Sequence, residues 1–201
     1  LRLLDKGIIV STDPKLYIIA GCNGAGKTTA SYNILPEILG CKEFVNADEI
    51  ARGLSPFQPE KVAIEAGRIM LQRVDELLRQ GVDFAIETTL ATKIYQSKIR
   101  KAQEDGYVAT LLFFWLNNVE LAKDRVKRRV SEGGHNIPED VIERRYKNGI
   151  KNLFELYIPV CDNIILMDNS DNSSKFVMKI ELGVTKIYEE NILTKIEASY
   201  E

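Results

Sequence analysis

The chain has 201 residues, 45% hydrophobic and 28% charged, with a formal net charge of −2. That balance fits one compact domain with a sizeable core and argues against bulk nucleic-acid binding, which favours strongly basic chains. Three widely spaced cysteines without a metal-ligand pattern and a single histidine argue against a His-rich metal site and for a reducing cytoplasm. The start, LRLLDKGIIV, has neither the apolar length nor the cleavage site of a signal peptide. No apolar run approaches the roughly 20 residues of a membrane span, so no membrane partner is expected.

In chain order, KLYIIA (15–20) reads as a short apolar strand ending in glycine, and TTASYNIL as a helix that Pro36 stops or kinks. EFVNAD (43–48) reads as a second strand. The stretch 59–81 is a long helix with Pro59 near its start and Gly81 past its end. DFAIETT (83–89) is a third strand, 93–106 a helix, and VATLLFFWL (108–116) the most apolar strand, buried on both faces as in a parallel sheet. Helices at 118–132 and 138–157 precede a fifth strand, NIILMD (163–168), and the turn-rich loop DNSDNSS (168–174). The tail reads as one or two short strands and a helix. With no repeat and no linker, residues 1–201 form one α/β domain on a five-stranded parallel sheet flanked by helices.

GCNGAGKT (21–28) fits the phosphate-loop pattern G-x-x-x-x-G-K-[ST]. Gly21, Gly24 and Gly26 let the backbone curl so that its N–H groups meet phosphate oxygens, and the following helix adds its positive end. Candidate ATP contacts are therefore Gly21, Cys22, Asn23, Gly24, Ala25, Gly26, Lys27, Thr28 and Thr29. Lys27 reaches the β- and γ-phosphates, and the Thr28 hydroxyl holds Mg²⁺. A guanine-reading Asn-Lys-x-Asp motif and a transporter-type LSGGQ signature are both absent.

Ligands of an open parallel sheet sit beyond the carboxyl ends of its strands. Asp48 arrives there, either as the base that takes a proton from an acceptor hydroxyl or, like Asn46, as the cap of a short helix. Glu87 binds a substrate hydroxyl or a Mg²⁺-bound water, or is a solvated strand end. Thr88 and Thr89 donate to substrate oxygens or satisfy β-propensity. On the helix at 118–132, Arg129 falls inside the apolar stripe, Arg125 at its edge and Arg128 off it. On the next helix Arg145 lies beside the buried face and Arg144 points away. Arg129 and Arg145 are therefore the candidates to face the transferred charge, with Arg125 and Arg144 in reserve; surface ion pairing is the alternative. EGGHNIP between them has the build of a lid, about 128–146, carrying arginines over a nucleotide. His135 contacts substrate or phosphate there, or makes a structural bond within the lid.

Taken together, GCNGAGKTT, NADEIA, ETTL and RVKRRVSEGGHNIPEDVIERRYKNGIKNL resemble the zeta-toxin family of P-loop kinases, in particular its short branch, often labelled predicted ABC-type ATPases. The resemblance runs from about Leu16 to Asp168. It implies a kinase-like sheet and an ATP- and Mg²⁺-dependent phosphotransferase acting on an alcohol group. The acceptor would be a nucleotide-linked metabolite such as UDP-N-acetylglucosamine, and an antitoxin protein a possible partner. Carried over by position, Lys27 would hold phosphates and Asp48 would be the base. Glu87 and Thr89 would bind substrate, and Arg129 and Arg145 would stabilise the transferred charge. The competing reading is an ATP-binding regulatory or chaperone-like switch with slow ATPase activity.

Overall fold

The structure is a computed structural model that describes residues 13–134, 136–171 and 173–200, with the backbone of two short strands before them. These are β1 (Arg2–Leu3) and β2 (Ile9–Val10), paired antiparallel. The main sheet starts with β3 (Lys15–Gly21), in which every residue after Lys15 is buried. A strand covered on both faces belongs inside a parallel sheet, and β3 is indeed flanked by β5 (Phe84–Thr88) and β6 (Val108–Trp115), both parallel to it. β4 (Glu43–Asn46) lies outside β5, and β7 (Asn163–Asp168) outside β6, again parallel. The five expected parallel strands are present.

Two further strands extend the sheet. β8 (Lys175–Glu181) pairs antiparallel with β7, and β9 (Val184–Ile187) antiparallel with β8. Among the described residues the order is β4-β5-β3-β6-β7-β8-β9. The tail ends in helix α7 (Glu190–Ala198), so it carries two strands and a helix.

The helices are α1 (Lys27–Glu37), α2 (Ala47–Leu54), α3 (Ala63–Gln80), α4 (Ile94–Glu104), α5 (Val119–Ser131) and α6 (Glu139–Asn152). α1 runs through Pro36; only the last turn meets the missing N–H, so the helix ends shortly after. The second strand stops at Asn46, two residues before the expected end, because Asn46 caps α2 by accepting the Asp48 N–H at 2.9 Å. Asp48 is thus a first-turn residue of α2 rather than the cap or the strand end. The long helix expected from Pro59 opens as a 3₁₀ turn, Pro59–Val62, before α3, and Gly81 closes it in the left-handed conformation at φ 64°. The helix expected through Tyr157 is α-helical to Asn152 and finishes as a π turn, Leu153–Tyr157. Among the described residues no helix is long and apolar enough to cross a membrane.

The core lies on both sides of β3 and β6. Phe84, Phe113, Phe114, Met70, Leu77 and Tyr157 are each at most 2% exposed, and each such side chain contributes about 1.5–3 kcal/mol by leaving water. This packing holds the carboxyl ends of β3, β4 and β5 side by side, where the candidate residues gather.

Candidate active site

The loop between β3 and α1 is shaped by its glycines and by what presses on it. Gly24 and Gly26 have φ of 80° and 84°, which disfavours any side chain. A Cβ on Gly24 would also sit 2.8 Å from the Ala122 carbonyl of α5, and one on Gly26 2.6 Å from the Asn169 amide. α5 and the segment after β7 therefore clamp the loop. Asn169 Nδ2 donates to the Ala25 carbonyl at 2.7 Å. Arg125 Nη1 donates to the Asn169 carbonyl and Nη2 to the Ser170 carbonyl, both at 2.9 Å, and Nη1 reaches the Gly24 carbonyl at 3.5 Å.

Lys27 opens α1 and is 6% exposed. Its Nζ donates to the Cys22 carbonyl at 3.0 Å and lies 3.6 Å from Glu87 Oε1. The Thr28 hydroxyl donates to Glu87 at 2.8 and 3.1 Å. Parallel pairing of β3 with β5, Ile19 opposite Glu87, brings that carboxylate to the loop. Glu87 therefore faces the cation and hydroxyl of the phosphate loop and is not a solvated strand end. Burial raises its carboxyl above the usual range; Lys27 and Thr28 draw it back, and Asp48 adds to the rise. Cys22 is buried and its thiol is pushed up to about 11, which keeps it protonated and poorly reactive.

Three adjoining cavities meet at Asp48. One of about 210 Å³ is lined by the phosphate loop with Glu87, Arg125 and Arg129. A second, of about 300 Å³, is lined by Asn23, Lys27, Asn46, Glu87, Thr88, Thr89, Thr92, Tyr95 and Arg145 among others. A third, of about 220 Å³, has an apolar wall of Ala47, Ala51, Ala63, Pro59, Ile137 and Val141, with Arg145 at its edge. Asp48 lines all three. Asn23, Lys27, Asp48 and Glu87 form the wall shared by the first two.

The structure thus brings Lys27, Thr28, Asp48, Glu87, Arg129 and Arg145 together. Arg129 is on the phosphate-loop side and Arg145 on the other. Arg128 and Arg144 are exposed. Thr89 lines the second cavity, whereas the Thr88 hydroxyl also accepts the Leu90 N–H at 3.1 Å, shaping the turn after β5. His135 lies outside the described residues. Three contributors went unmarked in the sequence, Tyr95 and the two residues of the Asn169–Ser170 corner; Asn23, expected only as a loop contact to ATP, also turns its side chain to both cavities. The corner carries a readable signal, a polar turn at the carboxyl end of a parallel strand, where ligands of such sheets sit.

Among the described residues no group of three or more His, Cys, Asp or Glu side chains is placed to hold a metal ion. The oxygen donors present, the Thr28 hydroxyl and the Glu87 and Asp48 carboxylates, suit a hard cation held mainly by phosphates and water, the usual state of Mg²⁺ beside a nucleotide.

The Zeta toxin family matches residues 4–178. The chain belongs to that family. An uncharacterised protein of Haemophilus influenzae is 32% identical over 133 residues, 66% of this chain and 92% of its own. Among solved structures, a chain of the AvrRxo1-ORF1:-ORF2 complex with ATP has a TM-score of 0.77 at 19% identity, over 94% of this chain. This chain spans 65% of that one. A chain of the PezAT chromosomal toxin–antitoxin system of Streptococcus pneumoniae has a TM-score of 0.66 at 19% identity, covering 98% of this chain and 89% of its own. A putative kinase of Chloroflexus aurantiacus scores 0.61 at 13% identity, over 94% of this chain and 100% of its own. At these identities the structural likeness shows the fold, a P-loop kinase fold with a mostly parallel sheet.

Proposed function

We propose that this member of the zeta toxin family transfers the γ-phosphoryl group of ATP to a hydroxyl of a nucleotide-linked metabolite, UDP-N-acetylglucosamine being the first to test. The observation that carries the reading is the shared wall of two cavities: Asn23, Lys27, Asp48 and Glu87 face both. A donor phosphate on the loop and an acceptor hydroxyl in the second cavity would meet there. About 300 Å³ lined by three threonines, a tyrosine and two asparagines, with Lys27, Asp48, Glu87 and Arg145 also on its wall, suits a polar, hydroxylated unit of monosaccharide size, at the small end of ligand cavities.

In this reading Asp48 aligns the acceptor hydroxyl and takes its proton as the bond to phosphorus forms, which suffices in a loose transition state. Lys27 and the loop N–H groups hold the donor phosphates. Arg129 and Arg145 approach the transferred group from opposite sides and stabilise its charge. Thr28 would hold Mg²⁺, whose chemistry is neutralisation of phosphate charge, and Glu87 orients that hydroxyl. Thr89 contacts the acceptor. The PezAT neighbour comes from a toxin–antitoxin system, which supports an antitoxin protein as partner; a cytoplasmic location belongs to the same proposal.

The test is phosphorylated product from γ-labelled ATP with UDP-N-acetylglucosamine and a panel of nucleotide-linked sugars. Wild type should label one acceptor. Asp48→Asn should cut labelling by about 10²–10⁴-fold with an unchanged melting temperature, because Asn46 supplies the cap of α2. Acceptor-independent ATP hydrolysis, equal in wild type and Asp48→Asn, would overturn the reading in favour of an ATP-driven switch.

A further inference from the structure

The phosphate-loop pattern asks only for backbone N–H groups at its variable positions, yet the Asn23 side chain is placed as if it had a task. It is 4% exposed and lines both the phosphate cavity and the acceptor cavity. Its Oδ1 accepts a hydrogen bond from Arg145 Nη1 at 3.2 Å, across 122 residues of chain. Among the described residues no carboxylate forms an ion pair with Arg145; the neutral amide is its hydrogen-bond partner.

That choice of partner matters. An arginine loses considerable rotamer freedom when its head is fixed, so one that must meet a transition state works better if already oriented. A carboxylate would orient it but cancel its charge. An amide orients the guanidinium and leaves the charge intact. The backbone beneath Arg145 is fixed as well. Gly149, one turn further along α6, lies so close to the turn after β5 that a Cβ would sit 2.6 Å from the Thr89 carbonyl. Asn152 Nδ2 donates to the Leu90 carbonyl at 2.6 Å.

We propose that Asn23 is a positioning residue for Arg145. It holds the guanidinium between the two cavities with its charge unquenched, and so ties the phosphate loop to the acceptor side of the site. The proposal rests on the reading of Arg145 as a group that stabilises the transferred phosphoryl.

Two measurements test it. In the ligand-free protein, side-chain ¹⁵N NMR of the arginines should show an ordered Arg145 guanidinium. Order should be lost in Asn23→Ala and kept in Asn23→Asp. In turnover of Mg²⁺·ATP, Asn23→Ala should lower kcat by about 10- to 100-fold, the worth of a hydrogen bond to a charged group, with KM for ATP changed far less. Asn23→Asp should also lower kcat although Arg145 stays ordered, because the charge is quenched. The double variant Asn23→Ala/Arg145→Ala should be no slower than Arg145→Ala. An ordered Arg145 in Asn23→Ala, or multiplying effects in the double variant, overturns the proposal. Wild-type turnover in Arg145→Ala would instead remove the catalytic reading of Arg145, and the NMR comparison would still decide whether Asn23 orders it. If Asn23→Ala does not fold, Asn23→Ser, too short to reach Arg145, is read in the same way.

Discussion

Glu87 sits 3.6 Å from the Lys27 ammonium and accepts the Thr28 hydroxyl, yet its burial still raises its carboxyl above the ordinary range. A raised carboxylate pKa means that the folded state favours the protonated form. The stability this contributes is fully present below the unfolded pKa and is lost as pH rises through the folded value. A ¹³C NMR titration of Glu87 should therefore show a midpoint above that of an exposed glutamate, and Lys27→Met should raise it further. A midpoint at or below the ordinary value would mean that the ion pair outweighs burial. The arginines supply a second comparison. Arg129→Ala and Arg145→Ala should lower kcat, with about 10³–10⁵-fold as the upper guide from arginine-finger systems. The exposed Arg128 and Arg144 should tolerate alanine with near wild-type rates. Equal small effects at all four would remove the catalytic reading of Arg129 and Arg145. Helical spacing alone separated these two pairs, because 100° per residue decides which side chains face inward. It could not place Arg125, whose carbonyl partners lie 101, 44 and 45 residues away. Nor could residue type choose between Asn46 and Asp48 as cap, since both cap equally well.

At the scale of elements, α6 is fastened to the segment that follows β5. The contact of Gly149 with the Thr89 carbonyl, the Asn152 bond to Leu90 and the 2.6 Å bond from the Tyr157 hydroxyl to the Thr92 carbonyl lie along one side. Leu90 is held at φ 54°, fully buried. Gly149→Ala should push helix and segment apart, destabilising the protein by about 1–3 kcal/mol as overpacking does. It should also raise KM for the acceptor more than for ATP; denaturant melts and paired kinetics check both. Unchanged stability and acceptor KM would show that the contact relaxes freely. The five parallel strands were legible because their buried apolar runs leave few alternatives. The tail was expected to hold one or two short strands, but their limits and their place in the sheet were not legible: β8 buries only part of its length and β9 is exposed throughout, so their pairing rests on backbone bonds that leave little hydrophobic trace. The π turn at Leu153–Tyr157 was equally hidden, since its buried Leu153 and Tyr157 fit ordinary helical spacing too.

For the molecule as a whole, the phosphate loop is the meeting point of β3, α1, α5, β5 and the corner after β7, so filling it should stabilise all of them together. Mg²⁺·ATP at 100 times its Kd should add about 2.7 kcal/mol. For a chain of this size that is roughly 5–10 °C in Tm, at about 2–4 °C per kcal/mol. A thermal melt with and without Mg²⁺·ATP measures it, and Lys27→Ala should lose most of the shift while still folding. An unshifted wild type would place the nucleotide elsewhere.

The clamp on the phosphate loop also has a consequence for the order in which the protein is made. The amide of Asn169 reaches back 144 residues to the Ala25 carbonyl, and Arg125 is tied to the same corner. The glycine-rich motif therefore leaves the ribosome long before the residues that hold it in shape. Domains fold as units once their chain is available, and contacts so distant in sequence form late. A nascent chain would display the whole motif and still lack a finished nucleotide cradle. For a member of a toxin family, a finished phosphate loop then waits until the chain has been made through Asn169 and Ser170, a delay written into the topology itself.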